Sequence, residues 1–345
     1  MSSPRVTALI NTYNYGRFIE EAIESVLAQD FPVSEMEILV VDDGSTDDTP
    51  ERVAKFHDRV RYLRKSNGGQ ASAVNLGHQQ ARGEIIALLD ADDLWVPQKV
   101  RRVVETFDRN PECGMLHHKR WIWNSREQSV IEDDDLPVLS GAFPPTHSDL
   151  LRYGTSSTSG LAYRRGLAQP AFPIPDSISL LVDAYLQVVL LFLAPVVILN
   201  EPLFKYRLHA NNRFHFGDGD AARVEHRLRA TRAFTLEIKT WLDSHQFNIH
   251  APELALFLNR FDLIEQENRF LAKGVGRFEF FNHLRLHRRV YGPLWTRRYR
   301  AYRWMMSYAG LLLGYRRFVA LRQRHGEGRG FFHLRRQLLP AEPVS

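Results

Sequence analysis

The sequence has one cysteine, Cys113, among 345 residues. An internal disulfide and a cysteine-built metal centre are therefore excluded, and a reducing, cytoplasmic setting is expected. Long apolar runs are also missing. The nearest to a spanning segment, "LLVDAYLQVVLLFLAPVVIL", carries Asp183 and Gln187 and breaks at Pro195, short of the roughly 18 uninterrupted apolar residues a transmembrane helix needs. The N-terminus, "MSSPRVTALINTYN", has no basic segment leading into an apolar stretch, so no secretory signal is expected. Glycine-rich phosphate loops are absent too: no G-x-G-x-x-G follows the first β-rich run, and no G-x-x-x-x-G-K-[ST] occurs anywhere. Ordinary dinucleotide folds and P-loop nucleotidases lose their main support. From Gly274 onward Lys and Asp disappear, and fifteen Arg stand against three Glu. The rest of the chain is left with an excess of acid, so the tail has an electrostatic role of its own.

What is present is an ordinary globular composition, 44% hydrophobic, with chain enough for two domains or for one α/β domain and an appendage. "RVTALINTY" reads as a strand, and Phe18, Ile19, Ala22, Ile23, Val26 and Leu27 recur at helical spacing. Ile38 to Val41 is an unbroken apolar run of the kind buried on both faces of a parallel sheet. "VRYLRKS", "GQASAVNLGHQQA" and "EIIALLD" continue the alternation as strand, helix and strand. The pattern predicts an α/β fold with a doubly wound, Rossmann-like, mostly parallel sheet and right-handed crossovers. Ligands of such sheets bind beyond the carboxyl ends of the strands. Three successive strands end there in polar clusters: Asn11 and Thr12; Asp42 and Asp43; and Asp90, Asp92 and Asp93. Each cluster alone reads equally as a turn or helix cap. Carboxylates as close as those of "LLDADD" repel one another and raise each other's pKa unless a cation lies among them, and hard oxygen ligands suit Mg²⁺ or Mn²⁺.

"TALINTYNYGRFIEEAIESVLAQ", "ILVVDDGSTDDT" and "NGGQASAVNLGHQQARGEIIALLDADD", in that order, resemble a family 2 glycosyltransferase of GT-A fold. The likeness is close from Arg5 to Trp95 and looser to about Asn212. It implies a metal-dependent, inverting enzyme that moves a sugar from a nucleotide-diphosphate sugar, UDP-sugar first, to a hydroxyl of a glycan or lipid-linked acceptor. Carried over by position, Asn11, Thr12 and Asn14 would hold the nucleoside, and Asp43, with Asp42 beside it, the base. Asp90 and Asp92 take the Asp-x-Asp positions, contacting the ribose and a Mn²⁺ or Mg²⁺ ion, with the choice between Asp92 and Asp93 as metal ligand open. Lys65, Asn67, Gln70 and Arg82 are expected as secondary nucleotide contacts, and His209 of "YRLHANN", flanked by Arg207 and Asn212, as a ligand of the metal or diphosphate. The general base falls on Asp183, in "SISLLVDAYLQ", where Val182 replaces the family's Glu; Asp176 is the alternative. His117 and His118 lack a third ligand at zinc spacing and are expected in a strand or the acceptor cleft.

The expected organisation is a GT-A domain over 1–215, with a nucleotide-sugar half over 1–100 and an acceptor half over 101–215, followed by a helical, Arg-rich region over 216–345. "IEDDDLPVLSGAFPPTH" is expected to form an irregular flap. "YRAYRWMMSYAGLLLGYRRFVALRQR" sets aromatics beside Arg, as a peripheral membrane helix does; an Arg-rich face packed on the catalytic domain accounts for it equally. No nucleic-acid-binding module is recognisable. Two rivals remain at this level. A nucleotidyltransferase would need a basic, glycine-rich loop near the first strand, where only Gly16 and Arg17 stand. A non-catalytic sugar-nucleotide binder of a polysaccharide assembly is kept open by Val182.

Overall fold

The computed structural model describes residues 3–124, 129–132, 156–209, 221–292 and Leu312. Its centre is built by the uninterrupted apolar runs. In β1 (Val6–Thr12) Val6, Ala8, Leu9 and Ile10 are fully buried, so both faces of the strand are covered. The next helix, α1 (Gly16–Leu27), buries Ile19, Ala22, Ile23 and Val26, three to four residues apart. Its first amide, Gly16 N–H, donates to the carboxylate of Asp47 at 2.9 Å, a cap supplied by a different loop. There follow β2 (Met36–Asp42), α2 (Thr49–Ala54), β3 (Arg61–Arg64), α3 (Gly69–Gln80), β4 (Ile85–Asp90), β5 (Leu94–Trp95) and α4 (Lys99–Arg109). Beyond them lie β6 (Met115–Asn124), β7 (Ser129–Glu132), β8 (Leu161–Arg164), α5 (Arg165–Ala168), α6 (Val182–Leu191) and β9 (Val196–Leu208).

The strands form one sheet in the order β3-β2-β1-β4-β8-β6-β9-β5, with β7 paired to β6. β1 lies between β2 and β4 and is parallel to both. The chain thus reverses its direction of travel across the sheet beside β1, which makes the crevice beyond the carboxyl ends of β1 and β4 a topological switch point. Register then aligns the polar clusters: Asn11 opposes Asp90, and Thr12 opposes Asp42. The expected parallel pairing joins β3, β2, β1 and β4, and beyond them the sheet is mixed. β8 runs antiparallel to both β4 and β6, and β5 runs antiparallel to β9. The reversal follows from the connection into β8: the turn at Thr158–Gly160 sits by the carboxyl end of β4, so the strand leaving it runs back along β4. β6 and β9 are parallel, with register shifts around Lys119; such irregularities bend a strand and re-aim its side chains.

The described residues of a second compact unit include the helices α7 (Ala221–Ser244), α8 (Pro252–Lys273) and α9 (Arg277–Tyr291). Lys239 and Asp262 join α7 to α8 at 2.8 Å, and Arg269 and Glu279 join α8 to α9 at 2.5 Å. Buried Leu263 and Val290, with Leu256 and Leu286 against them, form the apolar seam of the α8–α9 pair. Among the described residues no helix is long and apolar enough to cross a membrane. Asn212, the flap after Glu132 and the basic stretch after Gly292, apart from Leu312, lie outside the described residues.

Candidate active site

Asp90 closes β4 at the switch point. Its Oδ1 accepts from the Asn11 amide at 2.9 Å and the Gln70 amide at 3.0 Å, one from β1 and one from the start of α3. Its backbone N–H donates to Ser159 Oγ at 3.0 Å, and the Ser159 hydroxyl donates to Asp93 Oδ2 at 2.6 Å. The other oxygen of Asp93 accepts the Arg207 backbone N–H at 3.0 Å. Both Asp93 oxygens are thus engaged, and the residue is 1% exposed. Behind Ser159 the fully buried Lys99 donates to the Ser159 carbonyl, its ammonium over the Trp95 ring at 4.3 Å. Burial pushes Lys99 well below the ordinary lysine range, with Asp93 acting the other way.

Asp92 points elsewhere. Its Oδ2 accepts from His209 Nε2 at 2.8 Å, and the two side chains are 13% and 9% exposed. The His209 ring is steadied by Phe18 of α1, centroids 5.0 Å apart, and by Tyr15 at 6.0 Å. Two residues earlier Arg207 ties the assembly together. Its Nε donates to the Asp92 carbonyl at 2.8 Å and its guanidinium to Glu21 of α1 at 2.8 Å. That guanidinium lies over Phe18 at 4.7 Å and over Trp123 at 4.3 Å. An acid-bearing turn, a helix and the last strand therefore meet on one side chain.

The cluster fits a divalent cation. One ligand atom from each of Asp90, Asp92 and Asp93 lies within 4.8 Å of the others. Burial, then the charge of Asp92, pushes the Asp90 carboxyl up to about 7, and the same causes hold Asp93 well above the usual carboxylate range. Such shifts come from burying the acids first and from crowding them second. A small cation relieves them, and carboxylate oxygens with an adjacent imidazole are a donor set that Mn²⁺ accepts.

The acids after β2 are differently used. Asp42 is fully buried, with Oδ1 accepting the Ser45 N–H at 2.8 Å and Oδ2 the Tyr62 hydroxyl at 2.5 Å. This corrects the expectation that it contacts the nucleotide: it anchors the turn. Asp43 accepts from Lys65 (2.8 Å), Asn67 (3.1 Å), Gly68 N–H (3.0 Å) and Gly69 N–H (2.7 Å), which fills its four acceptor positions. Lys65 and Asn67 are thereby gathered around Asp43, whereas Gln70 reaches Asp90. Asn14, with φ of 57°, accepts the Thr46 N–H at 2.7 Å, and its own N–H donates to Ser45 Oγ at 2.9 Å. Thr12 Oγ1 is buried in this crevice without a partner among the described residues. Arg82 is a second correction. It precedes the amino end of β4, its N–H donating to Glu37 at 2.8 Å, and the intervening strand is about 17 Å long at 3.3 Å per residue. It stands at the wrong end of the sheet.

Asp183 lies in the first turn of α6, its Oδ1 accepting the Ala184 N–H at 2.8 Å. Burial raises its pKa, against backbone N–H groups including that of Thr158 and the charge of Arg120. Its charge is felt at Asp90, so the two acids share the cleft. Val182, where the family has Glu, is 1% exposed and faces the core. Gln187, one turn on, holds Ser156 through both its amide groups at 2.7 Å and so fixes the chain leading to Thr158 and Ser159. His117 and His118 are fully buried in β6, with burial pushing His117 down to about 3; they belong to the strand's interior. Lys99, Ser159 and Arg120 escaped sequence reasoning as site residues, since a lone lysine, serine or arginine carries no spacing pattern.

Comparisons with known proteins bear on the family and the fold. The family model described as glycosyl transferase family 2 matches residues 7–155. An uncharacterized glycosyltransferase of Nostoc sp. is 35% identical over 223 residues, 60% of this chain and 66% of that protein. An uncharacterized protein of Mycobacterium tuberculosis is 30% identical over 259 residues, covering 67% of this chain and 72% of its own length. Among solved structures, S. aureus TarS in complex with UDP-GlcNAc has a TM-score of 0.56 at 20% identity, covering 82% of this chain and 81% of that one. Mannosyltransferase PcManGT from Pyrobaculum calidifontis, in complex with GDP-Man and Mn²⁺, has a TM-score of 0.50 at 18% identity, covering 95% and 89%. At these identities the structural likeness speaks for the fold alone.

Proposed function

The chain belongs to glycosyltransferase family 2, and from that premise we propose that it is a metal-dependent, inverting enzyme using a nucleotide-diphosphate sugar, UDP-sugar first, and a hydroxyl of a glycan or lipid-linked acceptor. The observation that carries this reading is the approach of His209 to Asp92, 2.8 Å apart beside Asp90 at the switch point. Complexes of TarS with UDP-GlcNAc and of PcManGT with GDP-Man and Mn²⁺ support the ligand class.

In this reading Asp92 and His209, 2.8 Å apart, would hold the cation. When bound, a divalent cation supplies Lewis-acid stabilisation of the departing diphosphate. Asp90 takes a ribose hydroxyl, and Asn11, Thr12 and Asn14 line the nucleoside end, where the unpartnered Thr12 hydroxyl gains a mate. Asp43 serves the base by exchanging one donor of its loop for a base N–H. Asp93, spent on Ser159 and Arg207, positions the turn. Asp183 accepts the proton of the attacking acceptor hydroxyl, and its burial-raised pKa makes it a stronger base than a solvated carboxylate. Displacement in one step from the face opposite the diphosphate inverts the anomeric centre. The domain reading of 1–215 and 216–345 is retained as part of this proposal.

The test is calorimetric titration of UDP, GDP and dTDP, each with and without Mn²⁺, followed by turnover with the matching sugar. One nucleotide should bind only with metal, and Asp92→Asn should abolish that binding. Failure of every nucleotide to bind the folded chain with metal present overturns the reading. Binding that is metal-dependent, without turnover on any acceptor, would leave a sugar-nucleotide binder instead.

A further inference from the structure

Helix α9 buries Phe280, His283 and Val290 and turns the opposite side outward. That side carries Phe278, 79% exposed, and Phe281, 45% exposed, together with exposed Arg277, Arg285, Arg288 and Arg289. At about 100° per residue these six positions fall within one arc of roughly 120°. The only acid of the helix, Glu279, is taken by Arg269 of α8 at 2.5 Å. Among the described residues no carboxylate pairs with Arg277, Arg285 or Arg289. Two large aromatic rings in water beside uncompensated guanidinium groups form a surface short of a partner.

We propose that this face of α9 docks on a lipid bilayer bearing anionic head groups, the phenylalanines entering the interface and the arginines meeting phosphate. The chemistry is complementary on both counts, since aromatic side chains partition into the interfacial region and arginine is attracted to an acidic leaflet. A second copy of the chain is a poor occupant, because a two-fold contact sets the same patch against itself and would face arginine with arginine. The chain beyond residue 292 is a poor occupant for the same reason: it holds eleven Arg against two Glu. The inference is independent of the catalytic reading, and docking would hold the tethered catalytic unit near lipid-linked acceptors whatever the donor.

The experiment is sedimentation of the full chain with vesicles of phosphatidylcholine alone and of phosphatidylcholine with phosphatidylglycerol at three to one. Binding to the anionic vesicles should weaken with salt. Removing arginines in Arg285→Ala/Arg289→Ala should cost about fivefold per residue, and Phe278→Ala/Phe281→Ala about tenfold or more, with unchanged melting temperatures. A second readout does not depend on weakened binding. Cys113, the only cysteine, is buried, so a nitroxide on Phe278→Cys reports that position, and it should become shielded from aqueous relaxation agents on anionic vesicles. No vesicle binding, binding indifferent to both double variants, or a label that stays water-exposed on bound protein overturns the proposal. Capture of RNA through the same arginines, without vesicle binding, overturns it in favour of a nucleic-acid surface.

Discussion

Asp90, Asp92 and Asp93 share one turn and have three different surroundings. Asp93 is locked between Ser159 and the Arg207 amide, Asp90 is held by two side-chain amides, and the Asp92 carboxylate meets His209. The substitutions should separate accordingly. Asp92→Asn should lower Mn²⁺ affinity by a factor of ten or more in a metal titration, with little change in melting temperature. Asp93→Asn should instead cost stability, about 1–3 kcal/mol for a disrupted buried hydrogen-bond pair, read by chemical denaturation. Asp183→Asn should leave nucleotide binding within about twofold and lower kcat by roughly 10²–10⁴, the usual worth of a general base. Nucleotide binding lost together with turnover would argue that Asp183 shapes the donor site.

The turn is placed by elements far from it in sequence. β9 delivers Arg207 and His209, α1 supplies Phe18 and Glu21, and β6 supplies Trp123; the guanidinium of Arg207 is where they join. Arg207→Lys keeps the charge but cannot span Asp92 and Glu21 with a planar fork. It should weaken Mn²⁺ binding as well as lower stability, whereas a purely structural arginine would change stability alone. The loop after β2 has its own constraint. Gly44 has φ of 81°, and an added Cβ would lie 2.8 Å from the Asn67 nitrogen and 3.0 Å from the Lys65 carbonyl. Both neighbours are backbone, so Gly44→Ala should destabilise the chain by about 2 kcal/mol or more and disturb the Asp43 loop, seen as a lower melting temperature and weaker nucleotide binding.

The chain as a whole should report the acid cluster through its pH dependence. Asp90 is raised to about 7 in the folded state, from an ordinary value of 3.8. A carboxyl raised on folding favours the native state while protonated in it, so this contribution is intact below about 3.8 and is lost as pH climbs through about 7. In chelator the melting temperature of the wild type should therefore fall relative to Asp90→Asn between about pH 4 and 7. Added Mn²⁺ should raise it most at the upper end, where the carboxylates are ionised. Parallel curves for the two proteins would remove the burial argument. What the linear chain specifies here is local: apolar runs that demand burial on both faces, helical spacing in α1, and acids set where strands end. The first two follow from backbone periods of two and 3.6, so the α/β class and the gathering of Asp90, Asp92 and Asp93 at a strand end were readable in advance. The fate of each acid was not readable, because Asp93 depends on Ser159 and Asp92 on His209, 66 and 117 residues away. The antiparallel return of β8, the retirement of Asp42 to a buried anchor and the placing of Arg82 at the far end of the sheet likewise come from long-range packing. Residue type states what chemistry a side chain can do, while burial and partners, fixed only when distant segments meet, set what is left free to do it.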